Sequence, residues 1–414
     1  MNVNKNRSFF EWINYIKEFR FDVQKNHFKN IVYVAKKLGI LNSNMFIYIV
    51  GGTNGKGTTC YILEKILLKH GYKVGLYTSP HLFRYTERVR INGVELEEDL
   101  HIISFNNVEI ARGTLFLTYY DFITLSALYL FKHSKLDIII LEVGLGGRLD
   151  ATNVITPNIS VITNISLDHI EILGNNRHLI SIEKIGILRS RKIAIISETN
   201  FSRVAKKIVY KNNVKIRLIH QDWFYKKYNN FWSFMNKYHC FLNLPLPNVP
   251  LVNAATALAA ISESEIVLNK YIIKNCFQDI SIPGRFQVLS YNPKIILDVA
   301  HNSCAVNYLF GKLVNMKVLG KIYVIIGLLK GKDILNIVTP LVTIVSFWYC
   351  VRLNTKRSIS PRKIVQFLPI NSSEICVNIE YAWRKVQNIV SINDVILIFG
   401  SFFTVREIYK FLIN

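Results

Sequence analysis

Short, almost wholly apolar runs recur along this chain and constrain its fold more than any other feature. Five of them stand at 46–50 (FIYIV), 74–78 (VGLYT), 137–143 (DIIILEV), 159–165 (ISVITNI) and 193–197 (IAIIS). Most are separated by helix-length stretches. Strands that are apolar on both faces belong in a mostly parallel sheet covered by helices on both sides. A second series, at 294–299, 322–327, 343–350 and 394–400, follows PGRFQVLSYNP, a segment with proline and glycine at its start and proline at its end. We therefore expect an α/β chain with a domain at 1–282, a linker at 283–293 and a smaller domain at 294–414. Two such domains in series leave a cleft, a preferred place for a ligand, and the active site is expected there.

Local signals refine this outline. Ser8 with Glu11 makes a capping box, and Phe9, Trp12, Ile13 and Ile16 follow at helical spacing. A second helix is expected near 28–38, ending at Gly39, with a polar, basic loop Asp22–His27 before it. Residues 220–243 are aromatic and polar without clear period and suggest a hairpin excursion. A helix of small residues is expected at 252–263.

Composition narrows the class. With 414 residues, 50% hydrophobic and only 19% charged, the chain has the opposite balance to a disordered one. Its start, MNVNKNRSFFEW, has no apolar signal-peptide core. The longest apolar run, LVTIVSFWYCV at 341–351, is too short to span a bilayer and reads as a buried strand. Six cysteines are scattered without a CxxC pair, which fits a reducing cytoplasm and argues against a disulfide framework or a zinc site. The net charge of +23 permits a nucleic acid, a membrane surface or an anionic small substrate. It also has a plainer source: the chain is rich in Ile, Asn and Lys and poor in Ala, as an AT-biased gene would make it.

The chemistry concentrates at strand ends. Strand 46–50 runs into GGTNGKGTT and then a helix. Glycines let backbone N–H groups wrap a phosphate, the helix N-terminus adds a positive field, Lys56 adds a charge, and the Thr58 hydroxyl faces metal or phosphate. The plain alternative is a glycine-rich turn with no ligand, but strand, loop, Lys, Thr and helix all fall in order. In TSPHLFRYTERVR (78–90), Ser79 could ligate a metal and Arg84 and Arg88 could hold an anion; alone, this is equally a solvated loop. Strand 137–143 ends on Glu142, a carboxylate in an apolar setting that needs a cation or hydrogen bonds. Asp168 and His169 follow the next strand, and Asp298 and His301 follow one in the second domain. PGRF (283–286) places Arg285 in the linker.

These segments, in this order, resemble the folylpolyglutamate synthase/dihydrofolate synthase family of the Mur ligase superfamily, most of all its bacterial bifunctional form. The match rests on GTNGKGTTC (52–60), TSPHLFRYTERVRI (78–91), LEVGLGGRLDATN (141–153), SLDHIEILG (166–174), EKIGILR (183–189), NLPLPNVPLVNAATALAA (243–260), PGRFQV (283–288), LDVAHN (297–302) and GSFFTV (400–405). The resemblance implies a P-loop ATPase domain plus a smaller Rossmann-like domain, and an ATP-dependent ligase. ATP phosphorylates a pteridine carboxylate, and L-glutamate attacks the acyl phosphate to give an amide. The expected substrates are 7,8-dihydropteroate, tetrahydrofolate polyglutamates and L-glutamate; the expected cofactors are ATP and Mg²⁺, two ions. No nucleic acid, no membrane and a monomer are expected.

By family position, Asn54, Gly55, Lys56, Gly57 and Thr58 hold phosphates, and Asn253, Arg285 and Asp298 contact ATP. Ser79, Glu142 and His169 ligate magnesium, joined by Lys184 if carbamylated. Thr118, Tyr119, Tyr120, Asp121, Leu149, Asp150 and Ala151 line the pterin site, and His301 and Ser401 contact glutamate. Lys56, Lys184 and His301 are the catalytic candidates. The chain departs from the family pattern at Ser303, where proline is usual, at Phe403, where histidine is usual, at LLKGKD (328–333), at QKNHFKN (24–30), and at Tyr120 and Asp121. Two other readings are weighed. A cell-wall Mur ligase is expected to carry a further N-terminal domain, and only about 45 residues precede the first strand here. A nucleic-acid-binding P-loop protein needs lysines on one face with aromatics to stack, whereas these lysines lie throughout the chain. Retention of only one of the two folate activities is a further alternative.

Overall fold

The computed structural model describes residues 7–19, 27–42 and 44–412, and it divides into units Met1–Ile280 and Ser281–Asn414. Residues 22–26 of the loop expected before the second helix lie outside the described residues, as do 24–26 of the altered segment 24–30.

The first unit is built on an eight-stranded sheet. Its strands are β1 (Phe46–Gly51), β2 (Val74–Tyr77), β3 (Val89–Ile91), β4 (Val94–Glu95), β5 (Ile138–Glu142), β6 (Ile159–Ile162), β7 (Ile193–Ile196) and β8 (Lys215–Leu218), in the order β4-β3-β2-β5-β1-β6-β7-β8. The six strands from β2 to β8 in that order are parallel, and β3 and β4 add an antiparallel edge. The chain leaves β1 toward one side of the sheet and later returns to its other side. The loop after β1 therefore sits where strand order reverses, the usual ligand position in such sheets.

Helices α1 (Phe9–Lys17), α2 (His27–Lys37), α3 (Lys56–Lys69), α4 (Glu98–Arg112), α5 (Tyr119–Lys132), α6 (Ile170–Leu173), α7 (Arg177–Ile185), α8 (Arg203–Lys211), α9 (Leu251–Ser262) and α10 (Lys270–Gln278) belong to the same unit. The Ser8–Glu11 capping box forms as read, and α1 buries Trp12, Ile13 and Ile16. Trp12 packs against Phe105 of α4 and Phe122 of α5, the aromatic centre of the core. A buried side chain of that size contributes about 1.5–3 kcal/mol. Residues 220–243 hold most of a separate antiparallel sheet of β9 (Trp223–Lys227), β10 (Phe231–Asn236) and β11 (Cys240–Pro245), with β10 in the middle.

The second unit is a six-stranded sheet in the order β12-β13-β17-β14-β15-β16. Its strands are β12 (Gln287–Tyr291), β13 (Lys294–Asp298), β14 (Ile322–Ile326), β15 (Phe347–Val351), β16 (Ser373–Cys376) and β17 (Val395–Phe399), flanked by α11 (Ser303–Asn315), α12 (Ile334–Val342), α13 (Pro361–Val365), α14 (Ile379–Gln387) and α15 (Phe402–Leu412). All neighbours are parallel except β12 with β13. Buried Trp348, Phe399 and Leu397 centre its core.

Two readings change here. The run 341–351 is not one strand: α12 ends at Val342, a turn follows, and β15 starts at Phe347. The stretch read as a linker holds β12, an edge strand of the second sheet. The short strands β3, β4, β8 and β16 went unread in the sequence. Ser303, where the family pattern has proline, is the first residue of α11 after the Asn302 cap. Proline is favoured there because its missing N–H has no intrahelical partner to lose.

Candidate active site

The site grows from the end of β1. Val50 pairs in register with Glu142, the last residue of β5, so the glycine-rich loop and the acid emerge side by side. Gly55 caps α3 at φ 82°. A Cβ there would be strained in the left-handed region and would also strike the Asn253 amide of α9. The position thus demands glycine, and the same close approach sets Asn253 against the loop.

From the other side, residues beyond β6 grip the loop. The Asn54 N–H donates to Asn164 Oδ1 at 2.7 Å, and Thr163 Oγ1 donates to the Asn54 carbonyl at 2.7 Å. Lys56 Nζ curls back to donate to the Gly52 and Thr53 carbonyls, each at 3.2 Å. Gly57 and the buried Thr58 lie in the first turn of α3, whose N–H groups lack intrahelical partners.

Glu142 joins three of the motifs. A Cβ on Gly57 would lie 3.2 Å from Glu142 Oε2, so glycine lets the carboxylate rest against the turn. The same oxygen accepts the Ser79 N–H at 2.9 Å, and Tyr120 Oη donates to the Glu142 carbonyl at 3.3 Å. Lys184 is buried near the C-terminal end of α7. Burial, and then the nearby Lys56 charge, hold its amine down to about 7, against a smaller pull from Asp168. His169 sits at φ 50° before α6, its N–H donating to Asp168 Oδ1 at 3.0 Å.

The pterin candidates divide by job. Thr118 and Asp121 form a capping box on α5: Asp121 N–H donates to Thr118 Oγ1 at 3.2 Å, and Thr118 N–H donates to Asp121 Oδ2 at 2.9 Å. Burial raises the Asp121 pKa against those bonds. His27 Nε2 stands 3.9 Å from Asp121 Oδ1. Asp150 is the hub of its loop. Oδ2 accepts the Gly144 and Leu145 N–H groups (3.0 and 2.9 Å), and Oδ1 accepts the Thr152 N–H and hydroxyl (3.0 and 2.6 Å). Burial still leaves its pKa raised. Ala151 is buried, Leu149 is exposed, and Tyr119 lies under the Arg88 guanidinium, 5.9 Å from ring centroid to Cζ.

Sequence reasoning missed the ties between motifs. Arg148 donates twice to Glu183 Oε1 (3.0 and 2.8 Å), Asn153 Nδ2 donates to the Arg148 and Gly186 carbonyls, and Arg189 donates to Asn153 Oδ1 at 2.7 Å. These bonds stitch the GLGGRLDATN loop to the helix carrying Lys184. All four residues stood inside the quoted motifs; only their pairing was hidden.

In the second unit, Asp298 ends β13 and is spent on backbone. Oδ2 accepts the Phe286 N–H at 2.8 Å and Oδ1 the Ala300 N–H at 2.7 Å. Burial raises its pKa, and the Arg285 charge opposes that. The Arg285 guanidinium also lies 5.6 Å from the Phe402 ring. His301 Nδ1 bonds the Val299 carbonyl at 2.9 Å. The Ser401 hydroxyl accepts the Thr404 N–H at 3.1 Å and bonds the Thr404 hydroxyl at 2.8 Å, capping α15.

The donor set suits Mg²⁺. Among the described residues no three His, Cys, Asp or Glu side chains form a protein-only cage. The carboxylate of Glu142 beside Ser79 and the glycine-rich loop instead matches a hard ion that keeps phosphate and water ligands. Among the described residues no helix is long and apolar enough to cross a membrane.

Comparison with known proteins agrees over the whole chain. The Mur ligase middle domain matches residues 50–289, and the Mur ligase glutamate ligase domain matches 284–402. The chain is 52% identical over 408 residues to the dihydrofolate synthase/folylpolyglutamate synthase of Buchnera aphidicola subsp. Baizongia pistaciae, covering 98% of this chain and 96% of that one. Escherichia coli FolC in complex with DHPP and ADP superposes with a TM-score of 0.95 at 39% identity, covering 99% of both chains. A bifunctional folylpolyglutamate synthase/dihydrofolate synthase with Mn, AMPPNP and L-glutamate bound gives 0.94 at 40% identity, over 100% of each. This chain belongs to the dihydrofolate synthase/folylpolyglutamate synthase family of Mur ligases.

Proposed function

We propose that this chain is a bifunctional ATP-dependent ligase. It adds L-glutamate to dihydropteroate and to the glutamate tail of reduced folates, each through an acyl phosphate. The observation that carries the reading is the convergence of Lys56, the first turn of α3, Ser79 and Glu142 at the mouth of β1. A free carboxylate is a poor electrophile, and phosphoryl transfer to it needs positioning and charge neutralisation more than covalent help from the protein. The relatives' ligands, ADP with DHPP, and AMPPNP with Mn and L-glutamate, match that chemistry.

In this reading Asn54, Gly55, Lys56, Gly57 and Thr58 hold the ATP phosphates, and Asn253, Arg285 and Asp298 make further ATP contacts. Ser79, Glu142 and His169 would hold magnesium, which supplies charge neutralisation on the transferring phosphoryl group. Lys184, with its amine brought down to about 7, can add CO₂ and release a proton, giving a carbamate anion. A bare ammonium there would repel a metal. Intact mass of the active, metal-loaded enzyme tests this, and an unmodified Lys184 refutes it. Tyr119, Tyr120, Leu149 and Ala151 line the pterin site; Thr118, Asp121 and Asp150 shape it. His301 and Ser401 face glutamate, Ser401 while also capping α15. The protein acts as a cytoplasmic monomer, which sedimentation of the purified chain checks.

The deciding assay measures ADP release with dihydropteroate and tetrahydrofolate offered separately, each with and without glutamate. Release that requires glutamate together with either pteridine is expected. Release with neither, or none with both, sinks the reading; release with one pteridine only reduces it to one activity.

A further inference from the structure

Arg88 ends the 3₁₀ turn Tyr85–Arg88 and is more than nine-tenths buried. A guanidinium so largely enclosed gives up much of its hydration, which an anion or strong acceptors would make good. The carboxylates of Glu87, Glu95 and Glu64 are engaged elsewhere. Glu87, its neighbour in the chain, accepts the backbone N–H groups of Leu82 and Phe83, both at 2.6 Å, and that of Arg84. Glu95 pairs with Arg84 and Thr86, and Glu64 with Arg90. Among the described residues Arg88 has one side-chain hydrogen bond, from Nε to His81 Nδ1 at 2.8 Å, and lies over the Tyr119 ring. Its Nη1 and Nη2 groups, the fork that fits a carboxylate, donate to none of them.

The surroundings show which anion would fit it. The Arg88 carbonyl accepts the Thr78 N–H at 2.9 Å, so its backbone runs beside the residue preceding Ser79, whose own N–H meets Glu142. On its other side stands Tyr119, the first residue of α5. The guanidinium thus lies between the elements proposed for metal and phosphate and those proposed for pterin, where the acceptor carboxylate of the substrate must sit.

We propose that Arg88 binds the acceptor carboxylate of the pteridine substrate through Nη1 and Nη2, with His81 aiming the fork through Nε. This rests on the ligase reading of the site and names the residue that recognises the reacting group. By contrast, Arg84 is exposed and paired with Glu95, and takes no part.

The test compares dihydropteroate with its analogue lacking the benzoate carboxylate, titrated into wild type, Arg88→Met and Arg88→Gln with ADP and Mg²⁺ present. Wild type should prefer the carboxylate by about tenfold or more, the range of a charge-assisted hydrogen bond. Both variants should lose that preference while binding the analogue as wild type does. A preference that survives in a folded variant overturns the proposal, as does an equal loss of affinity for both ligands, which marks a structural role. Arg88→Gln carries the test if Arg88→Met fails to fold. Wild type binding neither ligand would refute the functional reading itself, whereas wild type binding both equally refutes only the assignment of Arg88.

Discussion

The two α/β units place acids at the same kind of position, the carboxyl end of a parallel strand, and use them differently. In the first, Glu142 accepts one backbone N–H and lies against a glycine turn, while Lys184 is buried beside Lys56. In the second, both carboxylate oxygens of Asp298 and the hydroxyl of Ser401 tie down backbone. In the first arrangement charge lies against the glycine-rich loop; in the second it ties down the backbone of its own loop. A motif residue can therefore recur because it touches substrate or because it shapes the chain that does.

Four variants test how far that contrast goes. Lys56→Ala should cost about 10²–10³-fold in kcat/KM, the scale of losing one charge-stabilising donor, with the melting temperature little changed, since Nζ satisfies only two loop carbonyls. A large fall in melting temperature would break the contrast. Asp298→Asn should do the reverse first. Its amide nitrogen faces a backbone N–H and leaves one donor unmet, costing about 1–3 kcal/mol in urea unfolding of the protein.

Lys184 offers a pH signature. Between its folded value of about 7 and its ordinary 10.5, the unfolded chain binds a proton that the folded chain does not. Stability then rises with pH across that window, by at most about 1.4 kcal/mol per unit, and is lost as pH falls toward 7. Urea unfolding of metal-free, CO₂-free protein at several pH values should show this slope, and Lys184→Met should lack it. The smallest effect belongs to Ser303→Pro. Proline at the first position of α11 should stabilise the chain by about 0.4–1 kcal/mol and leave ATP binding untouched.

What could be read in advance followed from periodicity. The long apolar strands and the capped helices stood out because their patterns have no close competitor. The run 341–351 misled because Leu, Val and Ile fill the end of a helix and the start of a strand equally well. Strands β3 and β4 are only three and two residues long, and β8 (KIRL) and β16 (SEIC) mix their apolar residues with charged ones. At the site, motif order singled out Lys56, Ser79 and Glu142 as candidates but could not show their partners. Burial separates Arg88 from Arg84 inside a single motif, and burial is a property of the fold rather than of the segment.

Helix α9 bears on the stiffness of the glycine-rich loop. The chain has 14 alanines, and five of them (Ala254, Ala255, Ala257, Ala259 and Ala260) lie in α9, all buried. That helix packs against α3, and its Asn253 touches Gly55. Small side chains bring the two axes close, so the phosphate loop, α3 and α9 form one stiff body with little room to repack. If the loop after β1 holds ATP as proposed, its cradle is preformed before any nucleotide arrives.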